Sequence, residues 1–240
     1  MNRSIILQRT LSWVVSLVVP VVLVLAAVRT VINHWYVELE YRTPGFPADQ
    51  YGFTLEERLK YSKIAIDYLL NNAGINFLGD LHFPQGQQAP DFSCQFMDDC
   101  TKLYNERELK HMVDVKMVVQ GAMRVLYIGA ALLLVLGVWA WRGGWWQTYR
   151  DGWGLGGKLT LGLIVLIILF VLAAFQGIFV LFHEIFFASG TWVFYWSDTL
   201  IRLFPERFWR DTFLVVGILA VVFGVAAMVI FRKRSSKLKQ

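Results

Sequence analysis

The chain is 240 residues long, 56% hydrophobic and only 17% charged, which excludes an ordinary water-soluble globule; such domains run at roughly 45–50% apolar and about 25% charged. Its formal net charge of +5 does not point to nucleic acid, because the basic residues sit beside hydrophobic blocks, where membrane topology signals belong. The apolar excess is gathered into four blocks, each long enough to cross a hydrocarbon core of about 30 Å, so the chain reads as a multi-pass protein embedded in a phospholipid bilayer.

Residues 1–10 form a short basic start with Arg3 and Arg9. The first span is expected at 11–32. Its apolar core is longer than the roughly 7–15 residues of a signal-peptide core and no small-x-small cleavage site follows, so it reads as an uncleaved helix, bent at Pro20. Residues 33–116 are hydrophilic, with 8 Lys/Arg and 13 Asp/Glu. A short strand is expected near 37–41. An irregular stretch with Pro44, Gly45 and Pro47 follows it. A helix is expected from about 55 to 71. Thr54 suits its N-cap, and Glu57, three residues on, completes a capping box. Residues 74–100, rich in Gly, Pro, Gln and Asp, read as loop. Another helix begins near Asn105 and runs into the second span, 117–141.

The connection 142–158 is glycine-rich and sets Arg142, Arg150 and Lys158 against Asp151. The third span is expected at 159–182. Residues 183–212 form a charge-balanced interfacial segment, the fourth span follows at 213–231, and a basic tail occupies 232–240. Four spans put both termini and the 142–158 loop on one side, with ten Lys/Arg and one acid between them. The positive-inside rule makes that side cytoplasmic. The expected fold is thus an all-α polytopic membrane protein, with four transmembrane helices and an extracytoplasmic, mainly helical and irregular domain between the first and second spans. Trp35, Trp139, Trp141, Trp192, Trp196 and Trp209 fall where interfacial aromatics belong. Cys94 and Cys100 lie on the outer side, where the compartment is usually oxidising, and read as a disulfide closing a small loop. Their spacing suits no zinc site.

Two constellations could carry chemistry. On a helix, Glu108, His111 and Asp114 are each three apart and share a face. A carboxylate beside an imidazole can fix its tautomer and raise its basicity; the alternative is a solvated helix start with ordinary charge pairs. The second is His183-Glu184 in an aromatic stretch at the outer end of the third span. The pair suggests a zinc-protease HExxH, but position 187 is Phe, so that motif fails. A histidine there is either functional or an interfacial side chain bonded to a carbonyl. Two imidazoles at one membrane surface suit acyl transfer, one taking a proton and the other returning it. No GxSxG motif or free nucleophilic cysteine is present, so the nucleophile would come from the substrate. His34 and His82 are weaker candidates. Residues 197–211 read as an amphipathic segment lying on the surface. Its Arg202, Arg207 and Arg210 would meet lipid phosphates or simply anchor the interface.

At these residues the sequence resembles the bacterial lipoprotein intramolecular transacylase family. The likeness is carried by Tyr51-Gly-Phe-Thr-Leu-Glu-Glu-Arg58 with Tyr68-Leu-Leu, by Glu108-Leu-Lys-His111-Met-Val-Asp114-Val-Lys116, and by Phe182-His183-Glu-Ile-Phe-Phe187 leading to Leu200-Ile-Arg-Leu-Phe-Pro205-Glu206-Arg-Phe-Trp209. Residues 85–100, with the cysteine pair, are an addition to the pattern. The resemblance implies an enzyme of the bacterial cytoplasmic membrane whose partners are diacylglyceryl-modified lipoproteins. It moves the sn-2 acyl chain onto the α-amino group of the lipoprotein's N-terminal cysteine, giving the lyso-form, with no metal or soluble cofactor. The catalytic pair it implies is His111 and His183, facing outward. His183 is favoured as base, Glu108 and Asp114 are candidates to orient His111, and Glu184 is a weaker aid to His183. Two other classes stay open: a non-enzymatic membrane protein whose outer domain binds a partner or lipid, and a lipid-ester hydrolase.

Overall fold

The computed structural model describes residues 3–232. The expected tail therefore lies outside the described residues beyond Arg232, as do Met1 and Asn2. Nine helices occur among the described residues: α1 Arg3–Val31, α2 His34–Tyr41, α3 Leu55–Leu70, α4 Asn76–Gly79, α5 Asp91–Cys94, α6 Glu106–Arg142, α7 Trp146–Phe186, α8 Thr199–Leu203 and α9 Glu206–Ile230. Of these, α1, α6, α7 and α9 are long and apolar enough to cross a membrane. The only pairing of extended chain among the described residues is an isolated bridge between His82 and Lys102.

The chain divides into two compact units. One gathers residues up to Thr30, Ala122–Ala173 and the chain from Leu214. Apolar side chains give helices little reason to associate in lipid, so close backbone approach and hydrogen bonds must do it. Here α7 meets α1 through glycine: a Cβ on Gly156 would come within 2.6 Å of Val19 Cβ, and one on Gly152 within 2.8 Å of the Ser12 carbonyl. Ser12 Oγ donates to Thr148 O at 2.9 Å and Ser16 Oγ to Gly152 O at 3.1 Å. Gly152, Gly154, Gly156 and Gly157 therefore belong to helix, not to a loop. The turn is confined to the few residues before Trp146, where Gly144 takes φ 72°. Ala27, Ile164 and Ala220 form the apolar centre of this unit.

The second unit is Val31–Gly121 with Ala174–Phe213. The strand expected near 37–41 is the helix α2. Asn33 caps it by accepting from Trp35 N, and Tyr36, Val37, Glu40 and Tyr41 are buried at helical spacing. In α3 the Thr54–Glu57 capping box is present in both directions. Tyr61, Tyr68, Leu78, Leu103, Tyr104 and Leu203 centre the core. The loop after α3 is held by backbone bonds from Phe83 N to Thr101 O and Ala89 N to Cys100 O, both 2.8 Å. Cys94 and Cys100 are disulfide-bonded, with Cα atoms 5.1 Å apart.

Residues 197–203 do not lie on the surface as expected. Ser197, Asp198, Thr199, Leu200, Arg202 and Leu203 are all buried, because the polar ones find partners inside the unit. Arg202 binds both carboxylate oxygens of Asp49, at 3.0 and 2.9 Å, with its guanidinium 3.7 Å from the Phe53 ring centre. Burial works to raise the Asp49 pKa, but this ion pair and the amides of Phe53 and Tyr51 outweigh it and hold the carboxyl below its ordinary value. Removing one member of a buried pair leaves an uncompensated charge. Asp49→Ala is therefore expected to destabilise the protein by about 3–5 kcal/mol, read as a fall in the thermal midpoint; an unchanged midpoint would contradict the pairing.

Glu40 is buried with opposite chemistry. Burial, reinforced by the charge of Asp211 and a hydrogen bond shared with it, raises the Glu40 pKa from 4.5 to about 7. The folded chain thus keeps a proton that the unfolded chain releases near pH 4.5. Its contribution to stability is complete below that value, declines as pH rises toward about 7, and is level above. Glu40→Gln, which stays neutral, is expected to raise the thermal midpoint at pH 8 and leave it nearly unchanged at pH 4. A variant less stable than the parent at pH 8 would overturn this account.

Candidate active site

The start of α6 is fixed by reciprocal capping. Asn105 N donates to Glu108 Oε2 and Glu108 N to Asn105 Oδ1, both at 2.9 Å. The other Glu108 oxygen accepts from Leu200 N at 2.7 Å. Glu108, only 1% exposed, thus ties α6 to the start of α8 through backbone amides. Asp198 performs the neighbouring task. It is 1% exposed and accepts from Ser93 Oγ (3.1 Å), Asn105 Nδ2 (3.1 Å), Arg107 Nη2 (2.7 Å) and Tyr195 N (2.8 Å). One carboxylate therefore joins α5, the first turn of α6 and the segment before α8. Nothing in the local sequence marked Asp198 as a site residue.

This scaffold places His111 on the second turn of α6, buried, with Phe187 and Phe194 edge-on at 4.9 and 5.2 Å between ring centres. His183 sits one turn before the end of α7, past the non-helical backbone at Ala174 (φ −152°, ψ 54°). Its neighbours are Phe179 at 4.2 Å, Trp192 at 4.8 Å and Phe187 at 5.4 Å. The structure brings the two imidazoles together: their centres are 6.1 Å apart and their planes differ by 18°.

His183 Nδ1 lies 2.7 Å from Phe179 O. A carbonyl only accepts, so Nδ1 carries the proton and Nε2 keeps a free lone pair. A neutral imidazole with Nε2 unprotonated is a base ready for use. His111 Nδ1, by contrast, is buried without a hydrogen-bond partner.

The remaining expected residues are distributed differently. Asp114 is half-buried one turn further along α6, and Glu184 is exposed beside His183. His34 pairs with Asp67 at 2.7 Å, and His82 Nδ1 donates to Asp80 O at 3.0 Å; both are exposed. Of the arginines expected to face lipid, Arg202 is buried on Asp49. Arg207 is engaged by Asp211 at 3.2 Å and Pro44 O at 2.8 Å, and Arg210 is the most exposed of the three. Among the described residues no three His, Cys, Asp or Glu side chains converge as metal ligands would. Trp192, expected as an interfacial anchor, packs on His183.

The sequence profile of the family described as lipoprotein intramolecular transacylase Lit matches residues 13–209, a span that contains both histidines. An uncharacterised protein from Aquifex aeolicus is 26% identical over 222 residues, covering 92% of this chain and 93% of its own. Among solved structures, the membrane-integral lipoprotein intramolecular transacylase Lit from Bacillus cereus aligns with a TM-score of 0.64 at 18% identity, over 94% of each chain. A histidine-to-alanine variant of it aligns with a TM-score of 0.69 at 19% identity, over 94% of this chain and 92% of that one. These structures share the fold. With four apolar helices and a membrane-integral neighbour, this is a multi-pass membrane protein, and it belongs to the lipoprotein intramolecular transacylase family, Lit.

Proposed function

We propose that the protein moves the sn-2 acyl chain of a diacylglyceryl-cysteine lipoprotein onto the α-amino group of the same cysteine. The observation that carries this reading is the tautomer of His183: Nδ1–H is spent on Phe179 O, and Nε2 is free to accept a proton 6.1 Å, ring to ring, from a second imidazole. His183 Nε2 takes a proton from the attacking α-amine as its nitrogen bonds to the ester carbonyl carbon, and the carbonyl π electrons move onto oxygen. The tetrahedral adduct collapses, the bond to the glyceryl oxygen breaks, and His111 gives that oxygen a proton, which it recovers from His183, so both imidazoles end neutral as they began. The net change is one acyl group moved from O to N and one proton from N to O. The amine belongs to the same molecule as the ester, so no separate acyl-enzyme is required and the enclosure need only hold the two in attack geometry.

The aromatic lining of Phe179, Phe187, Trp192 and Phe194 suits this chemistry, because it surrounds the imidazoles with apolar rings that also accept lipid chains. Both termini are cytoplasmic in this reading, and the histidine pair works at the outer face of a bacterial cytoplasmic membrane, where mature lipoproteins are anchored. The charge asymmetry of the connecting segments supports that orientation. Glu108 and Asp198 hold the architecture, and His111 and His183 do the proton chemistry.

The test is mass spectrometry of lipoprotein N-terminal peptides from a host lacking N-acylation, with and without this protein. An N-acyl, mono-O-acyl terminus appearing only with the protein supports the reading. Released fatty acid with a free amine would instead mean hydrolysis. Unchanged diacylglyceryl termini from a correctly inserted protein would mean the fold is used for binding alone.

A further inference from the structure

Acyl transfer places a negative charge on the former carbonyl oxygen, and neither histidine is free to receive it: one is taking a proton and the other is about to give one. A third group must donate to that oxygen, ideally one that is preorganised and does not titrate. Buried indole N–H groups normally have a partner, because a buried donor left without one keeps its full desolvation penalty. Trp192 breaks that rule. Its Nε1 is fully shielded and has no hydrogen-bond acceptor, while its ring lies 4.8 Å from that of His183 at 38°. The segment that carries it is anchored three residues on, where Asp198 accepts from Tyr195 N at 2.8 Å. The backbone is thus held, the ring is packed on the base, and the N–H has nothing to bond.

We infer that Trp192 Nε1–H is the donor that receives the tetrahedral oxyanion. The inference rests on the acyl-transfer reading above. An indole nitrogen is a donor only and carries no charge at any working pH. It can bind the developing oxyanion but cannot compete for the proton that must travel from amine to glyceryl oxygen. It is also compatible with an apolar enclosure that would penalise a charged donor left waiting without its anion. In the step itself the amine nitrogen bonds to the ester carbon, the carbonyl electron pair moves to oxygen, and the oxygen accepts from Nε1. On collapse that pair returns, the C–O bond to glycerol breaks, and the indole regains its unpartnered state without having exchanged a proton.

The experiment compares the parent with Trp192→Phe and with Trp192→3-benzothienylalanine, in detergent or vesicles, on a synthetic diacylglyceryl-cysteine lipopeptide. The benzothiophene keeps the bicyclic shape and replaces N–H by sulfur, so packing on His183 survives and the donor does not. The expected result is a fall of about 10²–10³-fold in kcat for both variants with KM little changed, and no loss of thermal stability in the benzothienyl variant. A benzothienyl variant within about threefold of the parent would overturn the assignment while leaving the acyl-transfer reading intact. A large loss with Phe alone would assign Trp192 to packing and overturn it equally. A parent that forms no N-acyl product would overturn the transfer reading itself, and this inference with it.

Discussion

Alanine at position 183 abolishes acyl transfer, and alanine at 111 does the same, while the protein still accumulates in the membrane: this is the expected outcome of the largest perturbation the site allows. A positioned general acid or base contributes typically 10²–10⁴-fold. In a substrate-assisted reaction with no enzyme nucleophile to fall back on, either loss should take the rate below detection. In the proposed reaction the two residues act on one proton path, so the double variant should be little worse than either single one. Folding should survive, because neither imidazole carries the architecture. His183 makes one bond to the carbonyl of its own helix, His111 Nδ1 makes none, and the segments around them are held by Glu108 and Asp198. Initial rates on a diacylglyceryl lipopeptide, with thermal unfolding as the control for integrity, check this. Near-parental rates in both single variants would sink the assignment.

The second large effect is expected at Asp198, and it is one of stability. Alanine there deprives Ser93, Asn105, Arg107 and the Tyr195 amide of an acceptor in a single change. Leaving several buried donors without their acceptor costs about 1–3 kcal/mol for each fully buried one, which corresponds to a fall in thermal midpoint on the order of 10 °C for a chain of this size. Asp198→Asn should lose most of this too, since its amide turns two donors toward a cluster made of donors. Adding Arg107→Ala to Asp198→Ala should cost less than the two single losses combined, because it removes the charge that the first change strands. A midpoint for Asp198→Ala within experimental error of the parent would show that the cluster is not cooperative.

Much of this was legible in the chain itself. The four apolar blocks, the Thr54–Glu57 box and the helix beginning next to Asn105 are local signals, and the structure has them where periodicity and capping chemistry put them. The helix α2 was legible too, since residues 36, 37, 40 and 41 are spaced for a helix face. The β-branched and aromatic character of that stretch concealed it. The glycines of 142–158 read as loop because glycine disfavours isolated helices, yet Gly152 and Gly156 lie within α7 and let its backbone approach α1. Residues of the site proper were legible only in part. His111 and His183 stand out because imidazoles are scarce and sit at helix ends. Asp198 and Arg202 looked like surface charges, since the partners that bury them lie 91–153 positions away. Trp192 is one of ten tryptophans, and it is set apart by combining an indole nitrogen that has no acceptor with packing on His183.

The reach of Asp198 bears on how the protein is made. Its partners Ser93, Asn105 and Arg107 leave the ribosome about a hundred residues before it does, with the sequence of two long helices still to be inserted. Until residues 195–203 arrive, those groups and Glu108 Oε1 must satisfy themselves with water, and closing so long a loop is a late and slow event. A nascent chain halted after α6 would hold one imidazole of the pair, no acceptor for Arg107 and no enclosure. The proposed site is therefore complete only near the end of synthesis, once residues 195–203 have closed on the start of α6.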